Sequence, residues 1–371
     1  MKLLIVARPF VFHGGVERAT AGLIRALVEH GYEVHLASPP GQKPVDGVVL
    51  HRLPVPPLTA TARALTLALA TRLIAARGWD VVQSHERTLG QDIYRAGEGC
   101  HRGYLLTRGR APGRRLYHRV VLALEGRVFA RTPRIVAISC AGKREIETLY
   151  GVSPDRVTVI YNGVDLERFH PNNRRTLRAA ARREAALDAE AWTALFVGSG
   201  FERKGLATAI EALALLDDRQ SRLIVVGKGD TRPYEALASR HDVTGQVIWL
   251  GPRADIERWY AAADVAVLPS RYEPFGNVHL EALASGLPVV ASVTAGGSEL
   301  IRPGLNGAVV DARDPGAIAA ALAELRQRAI AGGAETCAAA RASAEPYTYV
   351  AQVAAFGRLY AECAAGKAKL Y

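Results

Sequence analysis

Short apolar runs alternate with helical patterns of apolar positions from one end of the chain to the other. Brief β-branched and aliphatic runs between turn residues predict buried strands, and strands that alternate with helices predict parallel βαβ units. In the first half the predicted strands are residues 3–7, 33–38, 48–53, 80–84, 135–139 and 157–161. In the second half they are residues 194–198, 223–227, 247–251, 265–269, 288–292 and 308–310. The pattern therefore predicts an α/β protein with two doubly wound parallel sheets.

A polar stretch separates the two halves. Residues 171–190 are rich in arginine and alanine, and we interpret them as a linker followed by a helical lead-in, outside either core. The chain of 371 residues is also longer than one hydrophobic core usually serves. Both observations predict two domains.

The composition is that of an ordinary globular protein, with 49% hydrophobic and 22% charged residues. The four cysteines have neither metal-ligand nor disulfide spacing, which predicts reduced thiols that serve packing. The apolar run at residues 3–7 is too short for a signal peptide, and we interpret it as the first strand. No apolar stretch approaches the roughly 20 residues that a membrane helix needs.

Basic residues outnumber acidic ones by 47 to 36, and they concentrate in one segment. Between His101 and Arg134 there are nine arginines and one acidic residue, Glu125, interleaved with aliphatic and aromatic residues. Two interpretations stay open: a basic amphipathic surface that binds an anionic bilayer, or a core-packing helix with a solvated basic face. The candidate membrane-surface residues are Arg102, Arg108, Arg110, Arg114, Arg115 and Arg119.

The most informative stretch is residues 271–282, which places two carboxylates around a Pro-Phe-Gly turn. The apolar run 265–268 just upstream predicts a buried strand, so the turn opens a helix at the end of that strand. Backbone N–H groups at Gly276 and Asn277 would then face a phosphate, which the helix dipole favours. Glu281, about one turn further into the helix, could accept hydrogen bonds from the hydroxyls of a ribose.

The spacing of Glu273 and Glu281, with Pro-Phe-Gly after the first, resembles the donor-site signature of retaining nucleotide-sugar glycosyltransferases of family four. Four further segments resemble the same family in the right order, and they are residues 13–18, 159–165, 197–205 and 225–229. The resemblance covers essentially the whole chain.

The resemblance implies the GT-B fold, in which two Rossmann-like, doubly wound domains face each other across a cleft. It implies an acceptor-side domain of residues 1–171, to which the C-terminal helix 346–371 returns. It also implies a nucleotide-sugar donor-binding domain of residues 172–345.

The resemblance further assigns the donor site. Arg203 and Lys204 would neutralise the departing diphosphate, and because the chain has no Asp-x-Asp motif we expect neither a metal ion nor another cofactor. Glu273 would contact sugar hydroxyls and Glu281 the ribose, both as exposed, ionised carboxylates. The predicted donor-binding residues are Gly14, Gly15, Ser199, Gly200, Arg203, Lys204, Gly227, Glu273, Phe275, Gly276, Asn277, Val278 and Glu281. Retention would follow a front-face path in which the leaving phosphate takes the acceptor's proton.

On the acceptor side the chain departs from its family. Many members carry a histidine near the sugar, whereas Glu98 takes that position here, with His85 and Glu86 as further acceptor-side candidates. A carboxylate there, followed by a basic segment, resembles the bacterial lipopolysaccharide core glucosyltransferases. That branch implies UDP-glucose as donor, a lipid-linked glycan as acceptor, and a cytoplasmic enzyme held peripherally at an anionic inner-membrane surface. Glu98 could orient the acceptor, stabilise an oxocarbenium-like centre or anchor its loop.

Two other functions are compatible with the sequence. A nucleotide-sugar epimerase or a phosphorylase could use the same two-domain frame, because a fold does not dictate a reaction. A nucleic-acid binder could use the arginine-rich segment, but it would leave the five motifs unexplained. We therefore predict a hexosyltransferase that does not bind nucleic acid, with Glu98, Arg203, Lys204 and Glu273 as its catalytic residues.

Overall fold

A computed structural model describes residues 1–10, 15–56, 58–109 and 115–368 of the chain. The chain divides into two compact units. The first unit comprises Met1–Gly163 and Tyr349–Tyr371, and the second comprises Val164–Thr348.

Parallel strands form the centre of both units. Along the chain the strands are β1 (Lys2–Val6), β2 (Glu33–Ser38), β3 (Val48–Arg52), β4 (Val81–Ser84), β5 (Ile93–Arg95), β6 (Arg134–Ala137), β7 (Val157–Val159), β8 (Thr193–Val197), β9 (Arg222–Val226), β10 (Val247–Gly251), β11 (Val265–Leu268), β12 (Val289–Ser292) and β13 (Gly307–Val310).

Helices connect the strands. They are α1 (Gly15–Glu29), α2 (Ala60–Ala75), α3 (His101–Thr107), α4 (Leu116–Arg131), α5 (Cys140–Tyr150), α6 (Asn173–Glu184), α7 (Phe201–Lys204), α8 (Leu206–Leu215), α9 (Arg232–Arg240), α10 (Ile256–Ala262), α11 (Asn277–Ala284), α12 (Pro315–Ile330), α13 (Ala334–Ala344) and α14 (Tyr349–Ala368). Short 3-10 turns occupy Pro154–Arg156, Thr244–Gln246 and Gly296–Leu300.

The first unit is built on a parallel sheet with the strand order β3-β2-β1-β4-β5-β6-β7. Successive side chains of a strand point to opposite faces, and β1 shows the result. Leu3 and Ile5 lie in the cluster that includes residues of α1 and α14. Leu4 and Val6 lie in the cluster that includes residues of α2. Both faces of β1 are covered, so residues 3–6 of this strand are all apolar, as the sequence predicted.

The last helix, α14, completes the core of the first unit by packing against α1. Its side chains Phe356 and Tyr360 are fully buried and stack with ring centroids 5.6 Å apart. The Tyr360 hydroxyl donates to the side-chain oxygen of Gln83 on β4 over 2.8 Å. Burial of each aromatic ring stabilises the unit by roughly 2–3 kcal/mol, which holds this C-terminal segment on the N-terminal sheet.

The second unit repeats the design with the strand order β10-β9-β8-β11-β12-β13. Its core contains Phe196 of β8, Ile210 of α8, Val267 of β11 and Leu322 of α12, all nearly inaccessible to solvent. The strand order again reverses beside the first strand of the unit, which is the doubly wound topology predicted from the alternating runs. The predicted α/β fold class is therefore confirmed in both units.

The sequence analysis did not predict β5. This strand has only three residues and ends in Arg95, a charged residue that rarely occurs in a buried strand. Arg95 is nonetheless 1% exposed, and its Nη2 donates to the side-chain oxygen of Asn162 over 2.5 Å. Burial lowers the pKa of Arg95 to about 10. Pairing with β4 and β6 on both sides defines the strand, and only the tertiary structure provides that pairing.

Residues 171–190 contain the predicted helix, α6, but the expectation that this segment lies outside either core was wrong, because α6 packs against α10 in the second unit. Arg174, Arg178 and Arg182 follow one another at intervals of four and so share one face of α6. Arg174 and Arg178 both bind Asp264, over 2.6 and 2.9 Å. All three donate to backbone carbonyls at the C-terminal end of α10, where the helix dipole favours cations. The arginines therefore dock the helix.

The segment 159–165 lies where the two units divide. The Val164 N–H donates to the Tyr347 carbonyl over 2.9 Å, and Val164 also bridges Thr348. A Cβ at Gly163 would clash with the backbone of Tyr349, so only glycine fits at this position. The chain divides upstream of residue 171 because this pairing ties residue 164 to the second unit.

Candidate functional site

The carboxyl ends of β8 and β11 lie side by side where the strand order of the second sheet reverses. The loop after β8 leads into the short helix α7, and the loop after β11 carries residues 271–276 into α11. Doubly wound sheets bind ligands at this reversal, outside the carboxyl ends of the strands. Two of the sequence motifs therefore meet at the edge where such a sheet offers a site.

Glycines allow the loops at this edge to approach each other closely. A Cβ at Gly227, after β9, would clash with the carbonyl of Gly198. A Cβ at Gly205 would clash with the carbonyl of Pro269, and Gly205 also has φ of +76°, which residues with side chains rarely adopt. The loops after β8, β9 and β11 converge because these positions lack side chains.

Arg203, Lys204 and Glu273 form one charged cluster here. Nζ of Lys204 and Nη1 of Arg203 both donate to Oε2 of Glu273, the latter over 3.0 Å. Nη1 of Arg203 also donates to the Tyr272 carbonyl over 2.8 Å, which fixes the guanidinium beside the turn. Oε1 of Glu273 has no hydrogen-bond partner among the described residues. Two cations and one carboxylate leave the cluster with a net charge of about +1.

The cluster determines the ionisation of Glu273. Burial alone would raise the pKa of this carboxyl, but the charges and hydrogen bonds of Lys204 and Arg203 outweigh burial and lower the pKa to about 2. The predicted ionised state therefore agrees with the structure, whereas the predicted exposure does not. The Glu273 side chain is 12% exposed and is paired with the two cations that the sequence analysis treated as separate contacts.

The start of α11 has the form of an anion site. Gly276 precedes the helix with φ of +84°, and the backbone N–H groups of Gly276 and Val278 donate to no described residue. Unpaired N–H groups at the positive end of a helix dipole attract an anion. Asn277 is the first residue of this helix, and Glu273 lies on the turn just before it. The four residues are thus brought together as the sequence motif predicted.

Phe275, a predicted donor contact, packs inside the unit instead, because its side chain is 1% exposed. Its carbonyl accepts the Gly297 N–H over 2.6 Å, which anchors the turn to the 3-10 turn after β12. The sequence analysis missed His279, which is buried in the same place with Nδ1 2.9 Å from the Gly276 carbonyl. Burial lowers the pKa of His279 to about 4, so the ring is neutral and Nδ1 carries the donated proton. The only sign of this residue in the sequence is a histidine among the apolar residues of α11.

Glu281 lies on α11 and is buried, with only 7% of its surface exposed, so its predicted exposure was also wrong. The hydroxyl of Tyr260 on α10 donates to Oε2 of Glu281 over 2.9 Å. Within the described chain, Oε1 of Glu281 accepts no hydrogen bond. Tyr260 was not predicted, because the sequence separates it from the motif and only the packing of α10 brings the two together. Each carboxylate of the motif thus has one oxygen held by the protein and one without a described partner.

The remaining predicted donor contacts lie in loops, at the start of α1 or outside the described residues. Ser199 and Gly200 are exposed between β8 and α7, and Oγ of Ser199 accepts the Lys228 N–H over 3.1 Å. Gly15 is the first residue of α1 in the first unit. Gly14 lies outside the described residues.

At the carboxyl end of the first sheet, Glu86 and Glu98 are both bound by Arg8. Arg8 Nε donates to Glu86 Oε1 and its Nη2 lies near Glu98 Oε1, each over 2.8 Å. Arg87 joins Glu98 to the buried Glu125, over 3.1 and 2.9 Å. Burial would raise the pKa of Glu98, but Arg8 and Arg87 outweigh it and hold the pKa below its usual value. Both oxygens of Glu98 have arginine partners, which is the arrangement expected of a loop-anchoring residue.

His85 supports the structure of the first unit and was wrongly expected to be available to an acceptor. It is 6% exposed, with Nδ1 3.2 Å from the Thr20 hydroxyl and Nε2 2.7 Å from the side-chain nitrogen of Gln83. Burial, followed by the nearby Arg95 charge, lowers the pKa of His85 well below its usual value. Both ring nitrogens are engaged, so the ring connects α1 to β4.

The basic segment forms α3 and α4, which pack apolar residues into the first unit and keep most arginines outside. Arg102 is engaged, because it donates to the Leu149 carbonyl over 3.0 Å and its guanidinium lies 4.7 Å from the Tyr150 ring centre. Arg108 binds the Tyr104 hydroxyl over 3.0 Å. Arg115 and Arg119 are exposed, whereas Arg110 and Arg114 lie outside the described residues. The segment thus has a core-packing face and a basic face.

No helix in the described part of the chain is both long enough and apolar enough to cross a membrane. In the same ranges, no group of three or more His, Cys, Asp or Glu side chains is arranged to hold a metal ion.

Two family models match successive parts of the chain. Residues 13–168 match the model described as Glycosyltransferase Family 4. Residues 191–328 match the model described as Glycosyl transferases group 1, and this range contains Arg203, Lys204, Glu273 and Glu281.

Known proteins similar to the chain include enzymes and solved structures. A D-inositol 3-phosphate glycosyltransferase of Thermobispora bispora is 31% identical over 353 residues, which cover 84% of this chain and 81% of that protein. The crystal structure of WaaG, a glycosyltransferase involved in lipopolysaccharide biosynthesis, superposes with a TM-score of 0.80 at 24% identity, covering 95% of this chain and 98% of WaaG. Anabaena HepE in complex with UDP-glucose has a TM-score of 0.76 at 18% identity, and the superposition covers 99% of this chain and 100% of HepE.

The structural similarities extend over nearly the full length of both chains, and they agree with the doubly wound sheets of the two units. The structural neighbours establish the GT-B fold, and the relative from Thermobispora establishes the family. The chain belongs to the group 1, family 4 glycosyltransferases.

Proposed function

We propose that this glycosyltransferase moves glucose from UDP-glucose, with retention of configuration, to a lipid-linked glycan such as lipopolysaccharide core. The observation that carries the proposal is the arrangement of Glu273 and Glu281. Each has one oxygen held by the protein and one without a described partner, beside the unpaired N–H groups that open α11. Such a site can accept hydrogen bonds from hydroxyls and donate them to a phosphate.

The charged cluster supports the proposed chemistry. During transfer the bond between the anomeric carbon and the diphosphate oxygen breaks, and negative charge grows on the diphosphate. Arg203 and Lys204 offer fixed cations for that charge, and Glu273 holds both in place. The acceptor oxygen bonds to the same face of the anomeric carbon and passes its proton to the leaving phosphate. We propose that these two cations make a metal ion unnecessary.

The similar structures favour UDP-glucose as the donor, because HepE has been crystallised with it. WaaG favours an acceptor in lipopolysaccharide biosynthesis. An enzyme with a lipid-linked acceptor works at a membrane surface, and we place this one peripherally on the cytoplasmic face of the inner membrane. Arg115 and Arg119 are exposed and suit an anionic surface.

A thermal-shift series with nucleotide sugars tests the donor. At a concentration of about 100 times its Kd, UDP-glucose should stabilise the folded protein by about 2.7 kcal/mol and raise Tm by roughly 5–10 °C. Saturating EDTA should leave the shift unchanged, because the cations of the site belong to the protein. Arg203→Ala removes one of these cations and should largely abolish the shift. A larger shift with GDP- or ADP-glucose would contradict the UDP assignment.

The sequence relatives favour a second candidate acceptor. The Thermobispora enzyme is a D-inositol 3-phosphate glycosyltransferase. Such a small polyol phosphate carries no lipid, unlike a lipid-linked glycan. With UDP-glucose as donor, we expect kcat/KM for a truncated lipopolysaccharide core to exceed that for D-inositol 3-phosphate by roughly 100-fold or more, a difference of about 2.7 kcal/mol. The reverse preference, measured by product mass spectrometry, would replace the first acceptor with the second.

A further inference from the structure

Helix α2 of the first unit carries an apolar stripe that faces solvent. Leu65, Leu69 and Leu73 are 48%, 61% and 65% exposed. Their spacing of four places them above one another on the same face of the helix. A helix at the surface of a globular unit normally puts polar residues there, so a row of exposed leucines indicates a surface that another apolar phase covers.

The surroundings of the stripe are basic. Arg63, Arg72 and Arg77 are exposed on or just after α2, and residues 47–79 contain no acidic residue. Helix α4, which packs against α2, contains a single acidic residue, Glu125. Glu125 is fully buried and accepts hydrogen bonds from Arg87 and from the backbone of His101. The one carboxylate of α4 is therefore withdrawn from this surface.

A pocket at the end of the stripe brings two of the arginines together. Arg72 and Arg131 line a cavity of about 240 Å³ with Gln91 and Thr132. Gln91 Nε2 donates to the Thr132 hydroxyl over 3.0 Å, so part of the polar wall is already fixed. Neither arginine has an ion-pair or hydrogen-bond partner for its side chain among the described residues. Two unpaired guanidinium groups in one pocket suit a phosphate.

We propose that this surface, defined by Leu65, Leu69, Leu73, Arg72 and Arg131 and here called the α2 face, docks on an anionic lipid bilayer. The leucines enter the boundary between headgroups and acyl chains, and a lipid phosphate lies between Arg72 and Arg131. Burial of apolar side chains and attraction to anionic lipids are the two contributions that hold an amphipathic helix at a membrane. This docking brings the enzyme to the surface that holds a lipid-linked acceptor. The inference therefore rests on the proposed function for the nature of the acceptor.

The positive charge of the α2 face and its row of exposed leucines together favour a lipid over other partners. A second copy of the chain would bring the same unpaired arginines against each other, and like charges in contact oppose association. The α2 face also differs from the basic segment predicted from the sequence, in which Arg102 and Arg108 already have protein partners. The α2 face joins exposed leucines with arginines that are free to bind.

Vesicle flotation of the full chain tests the docking, with equimolar phosphatidylglycerol and phosphatidylcholine against phosphatidylcholine alone. Leu65→Gln/Leu69→Gln/Leu73→Gln should lower the partition coefficient on anionic vesicles by roughly tenfold or more. Arg72→Gln/Arg131→Gln should lower it by a similar factor on anionic vesicles and not on neutral ones. Matched controls are Leu215→Gln/Ile330→Gln, which remove exposed apolar residues of the second unit, and Arg25→Gln on α1. The controls should bind like the parent protein.

The outcomes separate docking from catalysis. Circular dichroism and the UDP-glucose thermal shift should be unchanged in the leucine variant, and Leu69→Gln alone provides a milder test if the triple variant is unstable. Parental vesicle binding by folded leucine and arginine variants would overturn the docking and leave the donor site untouched. Loss of binding in Arg115→Glu/Arg119→Glu alone would assign docking to the segment around α3 and α4. A change from dimer to monomer in the leucine variant, with lipid binding intact, would make the α2 face a subunit interface and also refute the proposal.

Discussion

Replacing Glu273 with Gln should lower the rate of glucosyl transfer by roughly 100- to 1000-fold, the range found when one preorganised hydrogen-bond donor to a developing anion is lost. Gln keeps the size of the side chain but loses its charge, so Arg203 and Lys204 are no longer held by a common anion. Lys204 is 8% exposed and would be left as a buried cation without its partner. The rate is measured as glucose transfer at saturating donor.

The same substitution should also destabilise the second unit. A carboxyl whose pKa falls from 4.5 to about 2 on folding stabilises the protein by about 3 kcal/mol at neutral pH. Because the folded pKa is the lower one, this contribution is complete above pH 4.5 and is lost as the pH falls towards 2. Urea denaturation at pH 7 should show the loss in Glu273→Gln, and the exposed Glu235→Gln on α9 serves as the control. Parental stability and turnover in Glu273→Gln would contradict both the pairing and its role.

Glu281→Gln should lower kcat/KM for the donor by roughly 100-fold, because an ionised acceptor for hydroxyl groups is replaced by a neutral amide. Tyr260→Phe should have a smaller effect of roughly tenfold, because it removes one hydrogen bond to a carboxylate and leaves the carboxylate in place. Glu281→Gln therefore tests the contact between the carboxylate and the donor, whereas Tyr260→Phe tests how the carboxylate is positioned. Both are measured as kcat and KM for UDP-glucose.

Tyr234→Phe is the matched control for Tyr260→Phe, since Tyr234 packs its ring against Phe201 in the same unit. We expect it to behave like the parent enzyme. A Glu281→Gln enzyme that binds UDP-glucose with parental affinity would refute the ribose assignment. A Tyr260→Phe effect as large as that of Glu281→Gln would show that the tyrosine does more than orient the carboxylate.

Most of the fold could be predicted because the buried strands are continuous apolar runs. Both faces of each sheet are covered by helices, so strands such as β8 and β11 contain hardly any polar residues and stand out from their surroundings. β5 escaped prediction because its three residues include Arg95. α6 was misjudged because its arginines look solvated in a sequence, whereas they dock on Asp264 and on the end of α10.

The sequence predicted a position for the site but not the contacts within it. The spacing of Glu273 and Glu281 is local, and so is the turn that places Gly276 at the start of a helix. The pairing of Glu273 with Arg203 joins residues 70 positions apart, and no local pattern reports such a contact. The sequence therefore predicted two exposed carboxylates, whereas the Glu273 side chain is only 12% exposed and Glu281 is buried.

Hydrophobic periodicity was enough to predict the fold class. Residues close together in the chain were enough to show the family resemblance and to predict where a donor site lies. The tertiary structure alone decided that Glu273 belongs to a cluster with Arg203 and Lys204, that Tyr260 holds Glu281, and that the leucines of α2 face solvent. Burial and ion pairing depend on how distant segments pack. In this protein, packing gives Glu273 and Glu281 their hydrogen-bond partners and leaves the leucines of α2 on a candidate membrane surface.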